Sequence, residues 1–209
     1  LKSVASRWDS APWNPVTALS DSYQVITMDQ RNAGDSWAPI TAEDGWHSYT
    51  EDQVGLMNEL GFNKFHVIGM CIGGPYATRI CMQETSRVLS AVLLQPIGLE
   101  HNRHLFEEMT AAWRKDIEAD HPEAGEQAWA AIKGMFSGRF MFAVDKRDLG
   151  KIEIPMLVAM GDDDYHPSSV SKAVGRLTPN ATLVEEWKDG DDLVAFDAKV
   201  KELLAANAL

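Results

Sequence analysis

A chain of 209 residues, 45% of them hydrophobic, is long enough to bury a full core and reads as one domain with room for an insertion. With 19 Lys and Arg against 31 Asp and Glu, its formal charge of −12 argues against nucleic acid or an anionic membrane as partner and leaves a small-molecule substrate open. The two cysteines, Cys71 and Cys81, have neither disulfide-framework nor zinc spacing, so a reducing, cytoplasmic setting is expected; no apolar stretch reaches membrane-spanning length, and the first residues do not form a signal peptide.

Trp8 and Trp13 stand among Ser, Asp, Asn and Pro, and a short helix near 2–8 is expected, with Pro12 and Pro15 preventing a longer one. Tyr23-Gln24-Val25-Ile26-Thr27-Met28 has strand composition and runs into a polar turn at 29–36. Residues 44–60 carry Val54, Met57, Leu56 and Leu60 at helical spacing and close on Gly61, a C-cap residue. A strand at 65–70 then gives way to a helix reaching about Met82, and Ser90–Gln95 is a third strand, stopped by Pro96.

Between 99 and 148 the pattern changes to two helical stripes. Leu105, Met109, Trp113 and Ile117 recur every four residues, Ala128, Ala131, Ile132 and Met135 form the second stripe, and His121-Pro122 separates them. A fourth strand at 154–160 ends in Gly161-Asp162-Asp163-Asp164-Tyr165-His166-Pro167. A helix at 168–176, a fifth strand at 182–187 and a final helix capped by Asp191 or Asp192, with Leu193, Phe196, Val200 and Leu203 inward, complete the chain. Apolar strands alternating with amphipathic helices predict an α/β fold with a mostly parallel sheet covered on both faces. Ligand chemistry in such a sheet gathers at the carboxyl ends of the strands, where the turns at 29–36, 71–74 and 161–167 fall.

The stretch Gly69-Met70-Cys71-Ile72-Gly73 has the spacing of a nucleophile elbow, with sulfur at its tip. A sharp strand-to-helix turn strains its central residue and requires small neighbours, while the helix start offers N–H groups and a dipole end that favour a thiolate. A buried structural cysteine in a Gly-rich turn is the plainer alternative.

The pieces MDQRNAGDS (28–36), HVIGMCIGG (66–74), LLQP (93–96) and PMLVAMGDDDYHP (155–167) resemble the α/β-hydrolase superfamily, in its order and over nearly the whole chain. GMCIGG is similar to the thiol elbow of dienelactone-hydrolase-like members. The resemblance implies an α/β-hydrolase fold with core segments 1–98 and 149–209 and a helical cap at 99–148, no cofactor, Cys71 as nucleophile, the Ile72 N–H as an oxyanion donor, and Asp164 as the acid that orients a histidine. Asn32 replaces a family glycine in the 28–36 turn and tolerates left-handed backbone.

The family's histidine after the last strand is replaced by Trp187-Lys188-Asp189-Gly190-Asp191, and no histidine follows His166. His166 is therefore the candidate displaced base. The family's third strand and its His-Gly loop, which belong before the helix that Leu1–Trp8 resembles, are also absent from the sequence. A gap there would leave backbone groups unpaired in the core, so an upstream segment or a second chain completing the sheet is expected, the alternative being direct pairing of 23–28 with 65–70. Self-association is left open.

Of the other residues, His101 and His104 read as a solvated helix end, His66 as a satisfied core histidine, and His47 and His121 as surface or boundary positions. Asp29 and Arg31 are expected to hold their turn together, Trp37 and Trp46 to pack, and Cys81 to be a small buried apolar residue. The acids 162–164 are not spaced for a metal. The expected function is hydrolysis of an ester, lactone or similar acyl substrate through Cys71; the alternative is a small-molecule binding protein that has lost turnover.

Overall fold

Four of the five expected strands form in the computed structural model, which describes residues 3–208. They are β1 (Phe65–Met70), β2 (Val88–Leu94), β3 (Met156–Ala159) and β4 (Ala181–Val184), all parallel, in the order β1-β2-β3-β4. The register sets Leu93 beside Gly69 and Val158, and Leu94 beside Met70 and Ala159, so the carboxyl ends of β1, β2 and β3 align. Side chains alternate between the two faces of a strand, and both faces here are apolar. Phe65, Val67, Ala91, Leu93, Met156 and Val158 enter one core layer; Ile68, Met70, Val92, Leu94, Leu157 and Ala159 enter the other. Full burial of each Leu or Val contributes about 1.5–3 kcal/mol.

Helices supply the covering layers. The short α1 (Val4–Asp9) and α2 (Pro15–Leu19) bring Trp8, Trp13 and Leu19 to the second layer. After α3 (Trp46–Glu59), Gly61 takes φ +77°, the left-handed position that ends a helix without side-chain strain. Then follow α4 (Gly73–Gln83), α5 (Arg103–Ile117), α6 (Glu126–Gly134), α7 (Lys146–Leu149), α8 (Ser168–Leu177) and α9 (Gly190–Ala206). Asp189, rather than Asp191 or Asp192, is the N-cap of α9, because Gly190 adopts φ +51° and lets the helix begin earlier. The expected first-helix start at residue 2 lies outside the described residues. No helix among the described residues is long and apolar enough to cross a membrane.

Two expectations need correction. On α5 the fully buried positions are Phe106, Thr110 and Ile117, whereas Leu105, Met109 and Trp113 are half-buried; the helix is rotated so that its regular stripe borders solvent. More importantly, 23–28 is not a strand. Gln24–Met28 have no regular structure and make no backbone hydrogen bonds among the described residues, and β1 pairs only with β2. The contracted pairing of 23–28 with β1 does not form. Side chains anchor the segment instead: Val25 packs against the same apolar layer that Ile68 and Met70 join, and the Tyr23 ring meets His66 edge-on at 5.9 Å. Strand composition is present, but a ladder needs a neighbour in register. Amide hydrogen exchange checks this directly: Val25, Ile26 and Thr27 exchange at loop-like rates, while Leu93 and Leu94 are protected to the global limit.

Candidate active site

Cys71 lies at the end of β1 with φ +57°, in left-handed backbone that costs a non-glycine residue about 1–3 kcal/mol. Hydrogen bonds hold it there. Its N–H donates to Leu94 O (3.0 Å), and its carbonyl accepts from Gly74 N–H (3.0 Å) and Ile97 N–H (3.2 Å), tying the turn to the end of β2. The turn also needs absent side chains. A Cβ on Gly69 would stand 2.1 Å from Gly73 O, and one on Gly74 would stand 2.5 Å from Pro96 Cβ. The thiol and Ile72 are partly buried and pack with a cluster from α3, α4, α5 and α6 that includes Trp46, Tyr76, Phe106 and Phe142. Thus the helical insertion between β2 and β3 lies over the elbow. Arg103 secures it by donating to Phe136 O and Gly138 O, and Trp46 Nε1 donates to Met135 O.

The expected thiolate is not what the surroundings favour. Burial pushes the Cys71 thiol up to about 11, the Ile72 N–H pulls it down, Asp163 pushes it further up and Arg7 partly offsets that. Desolvation outweighs the helix start, so the resting group is a neutral thiol at pH 7.

The loop after β3 holds the other chemistry. His166 Nδ1 lies 2.7 and 2.8 Å from the two carboxylate oxygens of Asp163, which also accepts from the Tyr165 N–H (2.9 Å) and His166 N–H (3.0 Å). Burial alone would raise the Asp163 carboxyl, but these hydrogen bonds and the imidazole hold it below the usual range. His166 Nε2 is buried without a hydrogen-bond partner. Asp164, placed by resemblance as the orienting acid, is exposed, and its carbonyl accepts from Asn102 Nδ2. Nearby, Lys188 pairs with Asp162 in the position where the family's histidine was sought, and Trp187 Nε1 donates to Met160 O (2.8 Å). Three adjacent acids therefore have three different fates. Sequence reasoning passed over Asp163, although its spacing of three from His166 was the available signal.

A cavity of about 570 Å³ borders this loop, with Glu100, His101, Asn102, His104, Asp163 and Asp164 in its wall. His101 and His104 are exposed, and His66 shares a 2.7 Å hydrogen bond with Ser90 Oγ while burial lowers its pKa. His121 departs from its expected surface position: it is 3% exposed, bonded to Glu123 (2.9 Å) and stacked under Trp37. Trp37 is itself 64% exposed rather than packed in a core, because it covers that imidazole from the solvent side. Arg31 joins Asp44 (2.8 Å) and Asp52 (2.7 Å), and Asp29 accepts from the Val4 and Asp35 N–H groups, so both hold the 29–36 turn. Cys81 is fully buried.

The elbow's backbone logic predicts different outcomes at the two glycines that flank Cys71. Gly69→Ala, whose methyl meets a carbonyl, destabilises by about 2–4 kcal/mol in chemical denaturation. Gly73→Ala, with nothing within 4 Å of the new methyl, stays within about 0.5 kcal/mol of the parent.

Residues 8–139 match the model of the α/β hydrolase fold family. The protein named carbamate hydrolase RutD from a Caulobacter species is 27% identical over 233 aligned positions, which take in 94% of this chain and 86% of that one. A RutD from Agrobacterium fabrum is 29% identical over 86 residues, 41% of this chain and only 33% of its own length. Among solved structures, the meta-cleavage product hydrolase CumD of Pseudomonas fluorescens superposes with a TM-score of 0.68 at 20% identity, covering 92% of this chain and 84% of the other. With its parallel sheet, its sharp turn at Cys71 and a family match over more than half its length, the chain belongs to the α/β hydrolase fold family.

Proposed function

We propose that this protein is a hydrolase of small acyl compounds, esters, lactones or carbamates, with Cys71 as nucleophile and the Asp163–His166 pair as its base. The observation that carries this reading is the unpartnered Nε2 of His166, whose other nitrogen is fixed on a carboxylate. A carboxylate at Nδ1 keeps the proton on that side and leaves Nε2 free to accept one. Kinship to a protein named as a carbamate hydrolase supports attack at an acyl carbon.

In this mechanism Cys71 Sγ–H gives its proton to His166 Nε2 as sulfur adds to the acyl carbon. The Ile72 N–H, already directed at the sulfur, meets the oxyanion. Collapse expels the leaving group with the proton from His166, and water then enters by the reverse route to cleave the thioester. Nε2 has no hydrogen bond to the sulfur here, so the mechanism requires the imidazole to come within hydrogen-bond reach of the thiol in the substrate complex. The insertion carrying α5 and α6 acts as the cap that excludes water. Asp164 lines the cavity rather than orienting the base.

A second reading, a binding protein without turnover, is favoured by the thiol's elevation to about 11. Kinetics with p-nitrophenyl acetate separates the two. Cys71→Ala reduces hydrolysis to background, His166→Ala lowers kcat by about 10²–10⁴, and Asp163→Asn lowers it less than His166→Ala. Equal rates in the parent and Cys71→Ala would leave the binding reading standing. The resting thiol has its own signature in alkylation by iodoacetamide. The rate rises about tenfold per pH unit above pH 8, since only the thiolate reacts, and levels off near pH 11 rather than below 8.5.

A further inference from the structure

We infer that the site selects neutral, apolar acyl groups and rejects carboxylated ones; this rests on the reading of Cys71 as the nucleophile. Two features of the surroundings combine. On the cap side, the cluster that receives Cys71 and Ile72 is built of aromatic and aliphatic side chains, and its partly exposed members include Leu99, Met109, Trp113 and Tyr165. An acyl group lying against them exchanges water for apolar surface, and a carboxylate there would lose its hydration; the cations that pack on this cluster, Arg31 over Tyr49 and Arg114 over Trp129, are already paired with Asp44 and Asp52 and with Glu118 and Glu126.

On the loop side the field is negative. Asp163 is near enough to act on the Cys71 thiol, and it stands with Glu100, Asp162 and Asp164 in the wall of the neighbouring cavity, which Cys71 does not itself line and which holds no Lys or Arg; His101 and His104 are the cavity's other titratable groups. Lys188 offsets Asp162, and His166 is hydrogen-bonded to Asp163, so Glu100 and Asp164 carry the wall charge that no ion pair among the described residues offsets. Arg7 is the cation that reaches Cys71, and its effect on the thiol is smaller than that of Asp163. The balance at the sulfur is therefore repulsive to an incoming anion. The net charge of −12 adds to this at long range. Both features point to the same substrate: an uncharged acyl group with an aromatic or alkyl body.

Alkylation of Cys71 reads this selectivity without requiring turnover. The thiolate displaces iodide, forming the C–S bond, and peptide mass spectrometry locates the adduct; Cys81, fully buried, serves as the internal negative. The probes are iodoacetate, iodoacetamide and N-benzyl iodoacetamide at pH 9, each normalised to its rate with N-acetylcysteine. Iodoacetate is expected to be disfavoured at least about tenfold against iodoacetamide at low salt, the gap narrowing at high salt because ions screen the wall carboxylates. N-benzyl iodoacetamide is expected to react faster than iodoacetamide. Glu100→Lys, an exposed change that spares the core, raises the relative iodoacetate rate. Iodoacetate reacting as readily as the neutral probes, or exclusion of the benzyl reagent, overturns the inference. If neutral probes are preferred but no ester is cleaved, selectivity stands and the hydrolase reading fails. If esters are cleaved while glutaryl and butyryl p-nitrophenyl esters show equal kcat/KM, the hydrolase reading stands and this inference fails.

Discussion

The arrangement turns on the left-handed conformation of Cys71. A cysteine held at φ +57° is strained, and it stays so because its N–H and carbonyl are both bound to the chain at the end of β2. Those bonds exist only if β1 and β2 pair in the observed register, and that register depends on apolar side chains filling both faces of the sheet. The backbone strain at the site is thus stored against the burial of residues such as Leu93 and Leu94. Its product is a sulfur at the carboxyl edge of the sheet with the Ile72 N–H beside it.

Two effects then oppose each other at that sulfur. The amide and the helix start favour the thiolate, while burial under the helical insertion disfavours it, and burial wins. In the proposed mechanism this neutral thiol needs a base at the moment of attack. The loop after β3 offers one in a form suited to the task, an imidazole whose first nitrogen is occupied by Asp163 and whose second is buried without a partner. The same loop, with its three consecutive acids, makes the wall of the neighbouring cavity negative. In the proposed mechanism, proton management and substrate charge therefore both depend on a few residues, Asp162 to His166.

Legibility in the sequence followed how local each determinant is. The elbow could be read because its requirements, small residues two positions either side of Cys71, lie within five residues. The parallel sheet was also readable, since β2 and β3 are buried on both faces and carry apolar runs broken only by Ser90. Tyr23–Met28 misled for the converse reason: its composition is that of a strand, but hydrogen bonding is a property of the neighbour, and composition cannot supply one. The choice among Asp162, Asp163 and Asp164 was only faintly legible, because three identical side chains in a turn differ in direction and the spacing of Asp163 from His166 is the one sequence cue. The thiol's state was hidden too, since it depends in part on α5 and α6, thirty or more residues away in the chain. Trp37 and His121, eighty-four positions apart, illustrate the same limit.

The most direct test is to trap the acyl-enzyme. Rapid acid quenching of the protein during cleavage of p-nitrophenyl acetate, followed by peptide mass spectrometry, should find an acetyl group on Cys71, absent from Cys71→Ser treated alike if sulfur is the required nucleophile. Release of p-nitrophenolate with no acyl group on Cys71 at any time point, or with the group on another residue, would contradict the account.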